Sequence, residues 1–230
     1  IVEVVRLLVN TPKQTFICAT GFSKESRFGY HSPRQYTGLK AIMETQYKSI
    51  LDYVGNTPLV EVSRMSPKPG VRIFAKLEGQ NPTGSIKDRV AKYLVQQAEA
   101  SGELKPGQTL VEASTGNTAL ALALIAKQRG YKLKVVMLRR ATPGVAELLD
   151  TYGVEIIWCD PLAGMKGAIE MAKRLSQEEG YFNTRQFESK ANVLAHYETT
   201  GPEILRALPV VDVFIAGIGT GGTLIGVGGR

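Results

Sequence analysis

The sequence predicts an α/β fold built on a parallel sheet with helices on both faces. Three observations predict it. Short apolar runs of strand length alternate with longer segments whose apolar residues recur at helical spacing. Several runs, 133–138 above all, are almost continuously apolar, as in strands covered on both sides. No motif recurs between the segments, so a solenoid or propeller array does not account for the alternation. In sheets of this kind ligands bind beyond the carboxyl ends of the strands, so the loops leaving those ends carry the functional expectation.

The elements follow in order. Residues 57–62 read as a short strand after the Gly55-Asn56 turn, and 71–77 as a second. Asn81 to Arg89 is a loop opening into a helix over 90–100, where Val90, Leu94, Val95 and Ala98 share one face. Residues 109–113 are a strand, and 118–127 an Ala/Leu-rich helix stopped by Gly130. A buried strand over 133–138 precedes a helix that starts at Pro143, a first-turn residue, and runs to Tyr152. Residues 155–158 are a strand and 165–175 a helix, closing near Gly180. A helix over 198–208 and a strand over 211–216 complete the described pattern.

Composition narrows the function classes. With 43% hydrophobic and 21% charged residues the chain has the make-up of a soluble globular protein, and no apolar run reaches membrane-span length. The net charge of +7 is uneven: residues 1–42 carry +4 of it, which leaves the body near balance and gives no case for nucleic acid. Cys18 and Cys159 make no disulfide framework, and Cys159 ends an apolar run as a buried thiol would. The only histidines are His31 and His196, and no metal-binding spacing occurs, so no metal is expected. A reducing, cytoplasmic setting is the expectation. Residues 1–42 are hydroxyl-rich and acid-poor and read as a non-homologous extension, disordered or spurious, with Met43 as the natural start.

Three loops carry the chemistry. In Asn81-Pro82-Thr83-Gly84-Ser85-Ile86-Lys87-Asp88-Arg89, Lys87 falls in the first helical turn, where the macrodipole disfavours a cation. Gly84 is followed by Ser-Ile-Lys, not Gly-Lys-Ser/Thr, so this is no nucleotide phosphate loop. Taken alone, this stretch favours a solvated helix-start lysine, and the reading turns on the loops that follow. Ser114-Thr115-Gly116-Asn117-Thr118 gathers hydroxyls and an amide at a helix start, a seat for a carboxylate or phosphate or a plain N-cap. Gly217-Ile218-Gly219-Thr220-Gly221-Gly222-Thr223 offers successive N–H groups and two hydroxyls as an anion cup. The acidic ribose partner of a dinucleotide site does not follow it. Gln186-Phe187, Asn192 and His196-Tyr197 could complete a substrate pocket.

A lysine amine, a carboxylate seat and a phosphate cup on one sheet edge match the attachments of pyridoxal 5'-phosphate and an amino acid. Together with Gly55-Asn56-Thr57-Pro58-Leu59, Lys76-Leu77-Glu78, Tyr181-Phe182 and Thr200-Gly201-Pro202-Glu203, these loops mark a family. From about Tyr47 onward the chain resembles the cysteine synthase/cystathionine β-synthase family of fold-type II pyridoxal-phosphate enzymes. Within it, the likeness is greatest to the type B branch of bacterial O-acetylserine sulfhydrylases. The resemblance implies a two-domain architecture like that of the tryptophan synthase β chain. Residues 43–88 would begin the larger domain, 89–190 form a smaller Rossmann-like one, and 191–230 return to the larger.

It also implies roles. Lys87 matches the Schiff-base lysine and Asn117 the asparagine beside the cofactor's phenolic oxygen. Gly219, Thr220, Gly221, Gly222 and Thr223 match the phosphate loop. Thr115, Gly116, Thr118 and Gln186 match the substrate-carboxylate residues. The implied reaction is β-replacement through an aminoacrylate, making L-cysteine from O-acetyl-L-serine or O-phosphoserine and a sulfur donor, sulfide in the first instance. The family is usually homodimeric. Alternatives are a cystathionine β-synthase-like enzyme or a truncated, non-catalytic protein of this fold.

The sequence departs from the family pattern in places. Ala119 replaces a usual glycine, and Ser114-Thr115 reverses the common order. Residues 138–145, Leu138-Arg139-Arg140-Ala141-Thr142-Pro143-Gly144-Val145, differ where the family borders its entrance, so substrate preference is open there. The family's late serine/threonine loop and final strands find no counterpart before Arg230. The expectation is a truncated chain with weak or no catalysis.

Overall fold

The computed structural model describes residues 49–66, 69–139 and 143–230. The expectations for residues 1–42, for Met43, and for residues 140–142 of the entrance segment lie outside the described residues.

Two strands, β1 (Leu59–Glu61) and β2 (Phe74–Lys76), form an antiparallel ribbon in which Leu59 faces Lys76 and Val60 faces Ala75. The expectation of parallel pairing does not extend to them. Among the described residues their connection holds one 3-10 turn, Ser63–Met65, and a parallel return needs a longer crossover, usually a helix.

The main sheet has β3 (Thr109–Ala113), β4 (Lys132–Leu138), β5 (Glu155–Cys159) and β6 (Tyr181–Asn183) in the order β5-β4-β3-β6, all parallel. Strand alternation splits its side chains into two cores. Leu110, Leu133, Val135 and Met137 pack with buried residues of α1 (Lys87–Ser101), α2 (Asn117–Arg129) and α3 (Pro143–Thr151). Val111, Ala113, Val136 and Cys159 face the other way, against Ala168 and Ala172 of α4 (Gly164–Leu175). Because α2 is buried nearly all round, it can be Ala/Leu-rich without a polar face. Gly130, at φ +79°, takes the left-handed cap that ends it.

The later segment differs from expectation in two places. The helix expected over 198–208 begins earlier and is broken. It comprises α5 (Lys190–Ala195), a π-helical turn over His196–Thr200, and α6 (Gly201–Ala207). In the π-helical turn the Gly201 N–H reaches back to the His196 carbonyl, the Thr199 hydroxyl donates to the Ala195 carbonyl, 2.5 Å away, and Pro202, which has no N–H, stands in the first turn of α6. Residues 211–216 form no strand. Their apolar pattern is that of a sheet element, but no ladder partner reaches them among the described residues, and Val213 and Ile215 are 73% and 70% exposed. The last helix, α7 (Gly222–Gly228), packs against the π-helical turn and α5. Among the described residues no helix is long and apolar enough to cross a membrane.

Candidate active site

Lys87 is the first residue of α1 and is half-buried. Its loop is held from several sides. The Gly84 N–H donates to the Asn81 carbonyl at 2.8 Å, and the Lys87 N–H to Ser85 Oγ at 3.2 Å. Asp88 accepts from the Thr83 N–H at 2.7 Å and from its hydroxyl. Burial pushes the Asp88 carboxyl up to about 6, against the pull of the Thr83 bonds.

Below this loop lies a buried ionic cluster. Arg89, 1% exposed, makes paired bonds to Glu78 (2.8 and 2.9 Å) and to Glu203 (2.6 and 2.7 Å). Lys76 Nζ donates to Glu203 and to the Thr57 carbonyl at 2.6 and 2.5 Å. The Thr57 hydroxyl and Asn81 Nδ2 donate to Glu78, and the Gly55 N–H donates to Asn81 Oδ1. Two cations and two anions balance, and nearly every polar atom has a partner, which is the condition for tolerating buried charge. Although burial opposes it, the bonds from Arg89 and Lys76 hold the Glu203 carboxyl down to about 2. The cluster ties residues 55–57, 76–78 and 81 and the start of α1 to α6. No role was assigned to it from the sequence, although charged Lys76 and Glu78 flanking Leu77 at the end of an apolar run were the available signal.

The carboxyl edge of the main sheet brings two further loops together, because β3 and β6 are neighbours. After β3, Ser114 Oγ accepts from the Gly116 and Ala119 N–H groups at 3.2 Å, so Ser114 caps the turn into α2. That leaves Thr115 and Asn117 exposed, with Gly116 and Thr118 buried. After β6, Arg185 adopts φ +53°, a left-handed turn uncommon for a side-chain-bearing residue. It delivers Gln186 into the interior. There Gln186 Oε1 accepts from the Thr118 hydroxyl at 2.7 Å and Nε2 donates to the Ala113 carbonyl at 3.0 Å. Thr118 and Gln186 are thus brought together, each holding the other.

The buried carboxylate of Glu112 secures the same turn. It accepts from the Thr184 hydroxyl (2.5 Å), the Gln186 N–H (3.0 Å) and the Ala113 N–H (2.9 Å). Burial outweighs these bonds and pushes it up to about 7. Glu112 was missed in the sequence, where an acid inside an otherwise apolar strand was the signal.

The glycine-rich loop enters α7 through Gly221, at φ +80°. Thr220 Oγ1 accepts from Asn192 Nδ2 (2.8 Å) and from the Gly222 N–H (3.3 Å). Gly222 lies so close to Asn192 that an added Cβ would stand 2.1 Å from Oδ1, whereas one on Gly219 would meet nothing within 4 Å. His196, 1% exposed, meets this loop at Thr223. Its Nε2 is 3.3 Å from Thr223 Oγ1 and its Nδ1 3.0 Å from Thr200 Oγ1. Burial, then the charges of Arg89 and Lys87, push its imidazole down to about 3, so it is neutral at physiological pH. Among the described residues no cluster could hold a metal ion.

Residues 50–229 match the family model described as pyridoxal-phosphate dependent enzyme. A cysteine synthase of Staphylococcus aureus is 42% identical over 182 residues, 78% of this chain and 59% of that protein. Cysteine synthase B of Salmonella typhimurium is 42% identical over 175 residues, 76% of this chain and 58% of that protein. The solved structure of an O-ureido-L-serine synthase superposes with a TM-score of 0.76 at 42% identity, covering 80% of this chain and 58% of the other. The chain therefore spans about 59% of the length of the curated relatives it matches.

Proposed function

Because the chain belongs to the family of pyridoxal-phosphate dependent enzymes, we propose that it holds pyridoxal 5'-phosphate on Lys87 and serves β-replacement on an activated L-serine, with sulfide as the incoming nucleophile and L-cysteine as product. The observation that carries this reading is a hydrogen-bonded link between two of the loops: Asn192 Nδ2 donates to Thr220 Oγ1 of the glycine-rich loop and to the Gln186 carbonyl, and Gln186 holds Thr118 of the β3–α2 loop, which supports reading the anion cup and the carboxylate seat as parts of one site.

The residues fit the group. Open space at Gly219 lets a phosphate approach the backbone, and the Thr220 and Thr223 hydroxyls and the N–H groups of Gly219, Thr220, Gly221 and Thr223 supply donors. Asn117 is exposed at the α2 start, beside the exposed hydroxyl of Thr115. When bound, pyridoxal phosphate supplies an electron sink for charge at the substrate α-carbon.

The chain's own residues do the rest. The Lys87 amine removes and returns the proton at that carbon, from a helix start that disfavours its cationic form. Thr115, Gly116, Thr118 and Gln186 form the seat for the substrate carboxylate, with Thr118 and Gln186 holding each other, and Asn117 would hold the cofactor's phenolic oxygen. Residues 89–190 act as the smaller domain, carrying the whole four-stranded sheet, with residues 43–88 and 191–230 as parts of the larger one. The working protein is a cytoplasmic homodimer. A second reading follows from the likeness to O-ureido-L-serine synthase, in which the same replacement takes a different incoming nucleophile.

The test is titration of the full chain with pyridoxal phosphate. A saturable visible absorbance of the lysine-bound cofactor, absent in Lys87→Ala, is the expected result. An unchanged absorbance in Lys87→Ala would overturn the assignment. Adding O-acetyl-L-serine and then sulfide, against other nucleophiles, separates the two readings by product.

A further inference from the structure

Asn192 lies on α5, 3% exposed, between the two anion-directed loops. Its Nδ2 donates to the Gln186 carbonyl and to Thr220 Oγ1, both at 2.8 Å. A carbonyl can only accept, so the amide orientation is determined and Oδ1 must face the other way. That oxygen is buried against Gly222 and has no hydrogen-bond partner. A buried acceptor left unpaired costs free energy, so its retention calls for a reason elsewhere in the side chain.

The reason lies at Thr220. Its hydroxyl oxygen already accepts from Asn192 Nδ2 and from the Gly222 N–H. A hydroxyl has two lone pairs and one proton, so with both lone pairs engaged only the proton is left to act. It then points away from Asn192, and the hydroxyl becomes a one-way donor suited to an anion. The second bond from the same Nδ2 fixes the Gln186 carbonyl, and Gln186 holds Thr118 in turn.

We propose that Asn192 is a positioning residue that commits the Thr220 hydroxyl to donating to a bound phosphate and ties that phosphate loop to the Gln186 turn. The identity of the anion rests on the reading under "Proposed function". Asn192 itself touches neither cofactor nor substrate.

Asn192→Asp and Asn192→Leu test this with two probes, pyridoxal phosphate and phosphate-free pyridoxal, titrated into the full chain. The Asp variant keeps the shape but accepts only, so the Thr220 proton turns inward toward it. The proposal expects Asn192→Asp to weaken pyridoxal phosphate by about tenfold or more, Asn192→Leu to weaken it less, and pyridoxal to be unaffected by either. Unchanged pyridoxal phosphate affinity, or equal losses for both probes, would overturn it.

If the unsubstituted chain takes up neither probe, the cofactor reading fails by itself. Amide exchange on the ligand-free chain then decides the positioning role. Faster exchange in Asn192→Leu across both 184–188 and 219–223 supports the coupling, and a rise in one segment or neither overturns it.

Discussion

Arg89 and Glu203, 114 positions apart, meet through two parallel bonds, Nη1 to Oε1 at 2.6 Å and Nη2 to Oε2 at 2.7 Å. The pair clamps the start of α1, two residues beyond Lys87, to α6. Arg89→Met would leave the carboxylates of Glu78 and Glu203 facing each other in the interior with only Lys76 to compensate. The expected loss is about 3–5 kcal/mol, read as a fall in denaturant midpoint. Glu203 also sets an acid limit. Its carboxyl is held down to about 2 in the folded chain, so its contribution is present above the ordinary carboxylate range near 4.5 and disappears as pH falls toward 2.

Two glycines of the same loop should respond in opposite ways. At Gly219 an added Cβ meets nothing within 4 Å, so Gly219→Ala should leave stability within about 0.5 kcal/mol. It would stand where a phosphate must approach the backbone, and cofactor affinity should drop about tenfold. At Gly222 the Cβ would collide with Asn192 Oδ1 at 2.1 Å, and Asn192 is pinned by two donated bonds. Gly222→Ala should therefore destabilise by about 1–3 kcal/mol. Thermal melts beside pyridoxal phosphate titrations separate the two cases.

Much of this was legible in the sequence. The α/β class and the parallel main sheet are borne out, β3 keeps its expected bounds, and Lys87 falls in the first turn of its helix as expected. The family resemblance is borne out by the match over residues 50–229. What was missed depends on distant partners. The sign of a side chain's neighbours is not written beside it, so Glu78, Arg89 and Glu203 read as separate motif letters, not one cluster. Residues 211–216 carry a strand pattern, but a strand also needs an edge to pair with, and among the described residues none reaches it. The π-helical turn at His196–Thr200 shifts the register by a single residue and leaves no periodic signature in the sequence.

His196 should behave as a permanently neutral imidazole. Its folded value is pushed down to about 3 from 6.5, so the unfolded chain binds the proton more readily. Stability from this group is full above about 6.5 and declines as pH falls toward 3. Its ring resonances should stay those of neutral imidazole as pH drops from about 7 to about 5. A midpoint near 6.5 would show that the ring is solvated, contrary to its burial between Thr200 and Thr223.

Glu112 should show the opposite dependence. Burial raises its folded value from 4.5 to about 7, so here the folded chain binds the proton more readily. Its contribution is full below about 4.5 and is lost as pH rises through about 7. With ~1.4 kcal/mol per pH unit, the change across that window is roughly 3 kcal/mol. Glu112→Gln removes the proton exchange but keeps an acceptor for the Gln186 N–H or the Thr184 hydroxyl, so it should flatten the pH dependence without unfolding the chain. The check is the difference in unfolding free energy between Glu112→Gln and the unsubstituted chain from pH 4.5 to 7. It should shift in favour of the variant as pH rises, and a constant difference would mean that Glu112 is ionised throughout and held by its three donors alone.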